Sequence, residues 1–183
     1  MAGPAASGRT TAVRWLAESF HRWAGDSYLV HLSSRRSPLS HLDLWTSSTT
    51  GPEAAKEVID KLRPYAELSA EESPSRLAIV IEGYPEFVSS MVEGPLSELV
   101  KLCRRNGHLL IAEGESTAWA SPWPLVMEVR NARTGLLLQP DQMDGDNLLR
   151  TSLPRVRRAD FPPGRGFWIK AGTATKVQIP VGD

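Results

Sequence analysis

The chain of 183 residues is 41% hydrophobic and 23% charged, with 21 basic against 21 acidic side chains and a formal net charge of zero. This is the profile of a globular domain able to bury a core without staples, and it excludes a disordered, coiled-coil or collagen-like chain. Charge is uneven, at net +2 over residues 1–50, −6 over 51–100 and +4 over 101–183. These runs read as solvated faces, not as the broad positive field of an autonomous nucleic-acid binder. No apolar run approaches the ~20 residues of a membrane helix, and Met1 to Thr11 lacks the apolar stretch of a secretory leader. The lone Cys103 cannot close an internal disulfide. A reducing cytosolic compartment is the expectation.

Helix and strand signals alternate along the chain. Val13, Leu16, Ala17, Phe20 and Ala24 recur at helical spacing and predict a helix over 11–24, stopped by Gly25. A strand is expected over Ser27–Leu32, then a Ser/Thr/Pro-rich loop with one short turn to Gly51. Pro52 suits a first helical turn, and Ala55, Val58, Ile59 and Leu62 give that helix an apolar stripe, with Glu57 and Lys61 as an i,i+4 pair. The unbroken apolar run Leu77–Ile81 predicts a strand covered on both faces, as in a parallel sheet. Leu96, Leu99, Val100 and Cys103 mark a third helix, which Asn106-Gly107 ends. Leu109–Ala112 repeats the buried-strand signal. A helix over Pro124–Ala132, a strand at Leu136–Leu138 and two further strands around Phe167–Lys170 and Lys176–Pro180 complete the pattern. The fold class is α/β with a mostly parallel sheet.

Gly3-Pro4-Ala5-Ala6-Ser7-Gly8-Arg9-Thr10 fits the phosphate-loop pattern G-x-x-x-x-G-[K/R]-T, with arginine in the usual lysine position. Glycines let backbone N–H groups turn inward around phosphate oxygens, and the following helix presents its N-terminus to an anion. Thr10 would hold Mg²⁺. Ser7 and Thr11 complete the set of candidate nucleotide-binding residues, with Gly3, Gly8, Arg9 and Thr10. The guanidinium of Arg9 is planar and forked where lysine is a point charge, a change that binding survives better than hydrolysis. The buried strand that normally leads into such a loop is expected to be missing, because only two residues precede Gly3.

A nucleotide-hydrolysing site of this kind also needs an apolar strand ending in a carboxylate. Leu77–Ile81 followed by Glu82 supplies it, making Glu82 the candidate catalytic acid and, with Thr10, the candidate metal residue. The next position, where a second acid would polarise the attacking water, is Gly83. Glu86, Glu113 and Glu115 are alternatives that the spacing does not separate. His21, His31, His41 and His108 show no metal-ligand spacing, and Ser7 has no nucleophile context. Cys103 belongs to a helical apolar stripe. Trp119 and Trp123 either pack in the core or anchor a partner. Arg150, Arg155, Arg157, Arg158 and Arg165 form a basic cluster suited to phosphates, to a neighbouring domain, or to surface pairing with Asp160.

Taken together, the degenerate loop, Arg36-Ser37-Pro38-Leu39, the strand ending at Glu82 and Gly107-His108 to Glu115 resemble the motor domains of FtsK/SpoIIIE-type ATPases. Arg130–Pro140 and above all Leu153–Gly166 add to the likeness, which is to the last, degenerate domain of actinobacterial and type VII secretion members. The resemblance implies a RecA-like P-loop NTPase fold in three layers, one domain over 1–183, with a short C-terminal β hairpin. It implies ATP or ADP with Mg²⁺, and a ring formed only within a longer polypeptide that is tethered to the inner face of the membrane. Neighbouring ATPase domains, double-stranded DNA or a secreted helical protein are the implied partners. The departures at Arg9 and Gly83 point to a structural or regulatory domain that binds nucleotide with little turnover. An active transport ATPase, and a nucleotide-free module docking a partner at Trp119–Trp123, are the competing expectations.

Overall fold

A computed structural model describes residues 1–180. It opens with a two-residue strand, β1 (Ala2–Gly3), followed by helix α1 (Arg9–Ala24), β2 (Ser27–Ser33), β3 (Ser47–Thr50) and α2 (Pro52–Glu67). The chain continues through β4 (Arg76–Glu82), α3 (Glu93–Asn106), β5 (Leu109–Ala112), β6 (Gly114–Glu115), α4 (Ser116–Trp119), α5 (Pro124–Arg130) and β7 (Gly135–Leu138). Last come α6 (Asp144–Leu149), β8 (Arg165–Lys170) and β9 (Thr173–Gln178). The strand expected to be missing before the phosphate loop is therefore present as Ala2–Gly3, short, paired along its length with β6 and at Ala2 with β7. The sequence gives no sign of β3, because its Ser-Ser-Thr-Thr run has no apolar face; it is held as an edge by pairing with β2. Likewise α4 and α6 have too few residues to show a period.

The strands run in the order β3-β2-β4-β5 and β6-β1-β7-β8-β9. β5 and β6 are two parts of one chain segment with Glu113 between them, so the two ladders meet along it. Pairing is parallel from β3 across to β7 and antiparallel for β7–β8–β9, which forms the C-terminal hairpin. Helices cover both faces, because successive residues of a strand point to opposite sides. On β4, Leu77, Ile79 and Ile81 face the large core under α2 and α3, with Ile59, Leu62, Leu96 and Leu99. Ala78 and Val80 face α1, with Val13 and Ala17. This double burial is the reason the β4 run reads as continuous.

On α2 the i,i+4 pairs that form are Lys56–Asp60, at 2.7 Å, and Arg63–Glu67, at 3.5 Å; the expected Glu57–Lys61 pair does not form. Exposed pairs of this kind contribute little in either register. Gly107 ends α3 in a left-handed conformation, as its sequence predicts. Cys103 is fully buried in the core, and burial pushes its thiol up to about 12. It should resist thiol reagents in the native protein and react at once in denaturant, which a timed mass-spectrometric alkylation will show.

One close approach fixes the hairpin against the rest of the sheet. A Cβ placed on Gly166 would lie 2.0 Å from the Leu137 carbonyl oxygen, across the β7–β8 pair. A backbone oxygen cannot rotate aside as a side chain can. Gly166→Ala should cost about 2–3 kcal/mol, read as a lowered urea midpoint, since the strands must part to admit the methyl.

Candidate functional site

The phosphate-loop residues lie at the end of β1 and the start of α1, where the pattern places them. Gly3 closes the strand, and a Cβ on it would come within 2.5 Å of Ser7 Oγ. Ser7 is wholly buried beneath the loop, and its hydroxyl has no hydrogen-bond partner among the described residues. Gly8 caps α1 in the left-handed region, at φ 93°, ψ 18°. A side chain there would meet both that backbone penalty and the Gly164 amide, 3.0 Å from an added Cβ. Gly164 N–H in turn donates to the Ser7 carbonyl at 2.8 Å. The C-terminal Pro-Pro-Gly segment thus braces the loop from behind. Pro4, Ala5 and Ala6 form the exposed crest, and Thr10 and Thr11 are exposed on the first turn of α1. The first amides of a helix have no intrahelical acceptor, so this turn offers free donors and the positive end of the α1 dipole.

Arg9 does not point its charge freely over the crest. Its guanidinium pairs with Glu113 at 2.9 Å and Glu115 at 3.5 Å. Glu113 is 8% exposed, and its second carboxylate oxygen accepts from Gly83 N–H at 3.1 Å. Sequence spacing leaves Glu113 equal to Glu86 and Glu115; the usable signal is that it closes the buried strand lying between β4 and β1. Glu86 instead accepts from Ser34 and pairs loosely with Arg35.

Glu82 ends β4 as its sequence predicts, yet its carboxylate turns toward β2. It accepts from Ser37 Oγ and is 2.8 Å from His31 Nε2. His31 is fully buried, stacked on Trp45, with its Nδ1 2.9 Å from Ser48 Oγ. Among the described residues nothing links Glu82 to Arg9, Thr10 or Ser7. The structure therefore joins the loop to Glu113, and holds Glu82 in a separate cluster one strand away. Gly83 is left-handed, at φ 64°, and a Cβ on it would strike Ser34. That backbone requirement explains a glycine where a second acid would sit.

Beside the crest lies a cleft of about 200 Å³, whose lining includes Pro4, Ala5, Glu115, Asp141, Asp144 and Arg158. Burial raises the Asp144 carboxyl, a hydrogen bond from the Asp141 amide opposes the rise, and the Asp141 charge adds to it. Three carboxylates against one arginine make this cleft a poor phosphate site and a better one for hydroxyl or amine donors. Arg155, Arg157 and Arg158 are exposed and, among the described residues, none forms the surface ion pair with Asp160 that the sequence suggests. Trp119 is core, stacked on Tyr84 and donating to the Met1 carbonyl at 3.0 Å. Trp123 is half-exposed.

No protein-family model and no curated protein sequence matches the chain. Solved structures do. The cytoplasmic domain of the Thermomonospora curvata type VII secretion ATPase EccC superposes with a TM-score of 0.75 at 18% identity, over 99% of this chain and 23% of that one. The chain shares its RecA-like α/β fold with the ATPase domains of EccC. The same organism's EccC, as ATPases 2 and 3 in complex with a signal sequence peptide, gives 0.72 at 16% identity, over 99% of this chain and 36% of that one. A structure described only as an ATPase gives 0.78 at 17% identity, over 100% and 78%. This chain therefore spans about a quarter to just over a third of the length of the EccC chains. The RecA-like α/β architecture and the FtsK/SpoIIIE-type resemblance expected from sequence are both met at the level of fold.

The Arg9 pairs give a direct test of which acid matters. Removing one partner of a buried pair strands the other charge. Glu113→Ala should lose about 3 kcal/mol of stability, while Glu115→Ala, at a half-exposed carboxylate, should stay within about 0.5 kcal/mol of the parent. Chemical denaturation of the two variants side by side will separate them.

Proposed function

We propose that this chain is a nucleotide-binding, motor-type domain of a secretion ATPase, holding ATP or ADP with little turnover. The observation that carries the reading is the exposed N-terminus of α1, which follows a left-handed Gly8 in a RecA-like fold. Helix dipole, free amides and glycine-shaped turn together favour a polyphosphate there. The nucleoside end would lie toward the cleft past Pro4 and Ala5, where carboxylates accept from hydroxyl and amine groups.

For the phosphates to gain a side-chain cation, Arg9 must leave Glu113. The pair thus competes with nucleotide and lowers affinity. Thr10, exposed on the first turn, would be the chain's ligand for Mg²⁺. Glu82 is drawn toward β2, where Ser37 and His31 both reach its Oε2, and away from Thr10. No step of hydrolysis is assigned to it. With Gly83 unable to orient a water, weak turnover follows from the residues present.

In the cell the domain would work on the cytoplasmic side, beside other ATPase domains of a longer or partner polypeptide. A ring formed in that setting, and a secreted helical protein as cargo, belong to the same proposal. The supporting observations are the cytoplasmic, multi-ATPase character of the EccC structures and the signal peptide bound by one of them.

Calorimetry of Mg-ATP and of ADP with the folded chain tests the reading. Micromolar binding of both is expected, lost in Arg9→Ala. Glu113→Gln should tighten it by about threefold to tenfold, because an amide no longer holds the guanidinium as an ion pair. Absence of heat at millimolar nucleotide overturns the binding site. Steady phosphate release by the unmodified chain overturns the low-turnover half.

A further inference from the structure

Between α6 and β8 the chain from Arg150 to Arg157 is neither helix nor strand, yet it is firmly held. Leu153 is buried in the large core, and Val156 packs against the same core. Gln142 grips the backbone between them. Its Nε2 donates to the Leu153 carbonyl at 3.2 Å and the Pro154 carbonyl at 3.4 Å, and its Oε1 accepts from the Val156 amide at 2.9 Å. A neighbouring strand would bond to the Pro154 carbonyl and the Val156 amide in the same way, one on each side of Arg155. The side-chain amide of Gln142 thus stands in for one peptide unit of a β ladder.

A strand has two edges. In extended backbone, successive residues turn their amide and carbonyl to opposite sides. With Pro154 and Val156 bonded to Gln142, the Arg155 amide and carbonyl face the other way, and among the described residues neither has a partner. Arg157 is extended as well, at φ −119°, ψ 123°. Arg155 and Arg157 are both exposed and, among the described residues, neither is in an ion pair. Two residues apart on extended backbone, their side chains leave the same face about 7 Å apart.

Guanidinium forks take carboxylates or phosphates through paired hydrogen bonds. The Arg155 carbonyl decides between the two, because it needs a donor. A peptide brings an N–H and a C=O at each residue, while a DNA backbone brings acceptors alone. We propose that the segment Arg155–Arg157 is a docking edge for an extended acidic segment of a partner protein. The partner's backbone bridges the Arg155 amide and carbonyl, and its carboxylates at alternate residues, which share the strand repeat, meet the two guanidinium groups. Arg158 lines the cleft with Asp141 and Asp144 and is not part of this edge. The proposal does not depend on nucleotide.

The probe is a fluorescent peptide with three aspartates alternating with two valines between terminal glycines, acetylated and amidated at its ends. Titrated into the full chain, it should bind saturably by anisotropy and slow hydrogen exchange at the Arg155 amide. Arg155→Ala and Arg157→Ala should each weaken binding about threefold to fivefold, the loss of one exposed charge pair. Arg105→Ala, on the last turn of α3, should leave it unchanged. Gln142→Ala keeps every charge, yet it should also weaken binding and speed exchange at the Val156 amide. Equal binding of an isomer with its three aspartates contiguous overturns the proposal, as does an Arg155 amide that exchanges no more slowly in the complex. So does full-strength binding by Gln142→Ala, or a loss in Arg105→Ala as large as in Arg155→Ala. Tighter binding of a single-stranded oligothymidylate of equal charge overturns the choice of a peptide partner. No binding at millimolar peptide, by protein whose exchange pattern shows it folded, overturns the site itself.

Discussion

Glu113 holds together the parts on which everything else in this structure rests. Its amide donates to the Ile81 carbonyl and its carbonyl accepts from Tyr84, which ties it to the end of β4. One residue later, Gly114 pairs with the β1 ladder. The strand therefore changes partners at Glu113, and the two halves of the sheet meet there. Its side chain joins the same parts a second time, through Arg9 at the start of α1 and Gly83 after β4. A carboxylate nine-tenths buried is tolerable only because both oxygens are occupied by a cation and an amide.

The loop that follows β1 takes its shape from residues far away in sequence. Gly164 donates to Ser7, Gly3 leaves room for the Ser7 hydroxyl, and Gly8 leaves room for Gly164. Phe161 and Phe167, packed together in the core on either side of that segment, keep it against the loop. The loop is thus a rigid turn before any ligand arrives.

The acid at the end of β4 shows how a familiar strand position can be diverted. Glu82 sits where an apolar strand meets solvent, but β2 presents His31 beside it and the following loop presents Ser37. His31 reaches in turn to Ser48 on the edge strand β3. The cluster satisfies polar groups inside the sheet edge and holds Glu82 through one carboxylate oxygen, Oε2, which both Ser37 and His31 reach.

Sequence alone determined the alternation of helices and buried strands, since continuous runs such as Leu77–Ile81 and the stripe of α3 report local periodicity. It also located the glycine-bounded turn ahead of α1, whose glycines and following helix are contiguous in the chain, and the two-stranded C-terminal hairpin. Tertiary structure decided the rest. Whether Glu82, Glu86, Glu113 or Glu115 meets Arg9 depends on strand order, which no local pattern encodes. The partial strand at Ala2–Gly3, the polar edge β3 and the burial of Trp119 likewise arise from neighbours distant in sequence. Side-chain periodicity is a property of one segment, while an ion pair or a β ladder is a property of two, and only the folded chain brings the second to the first.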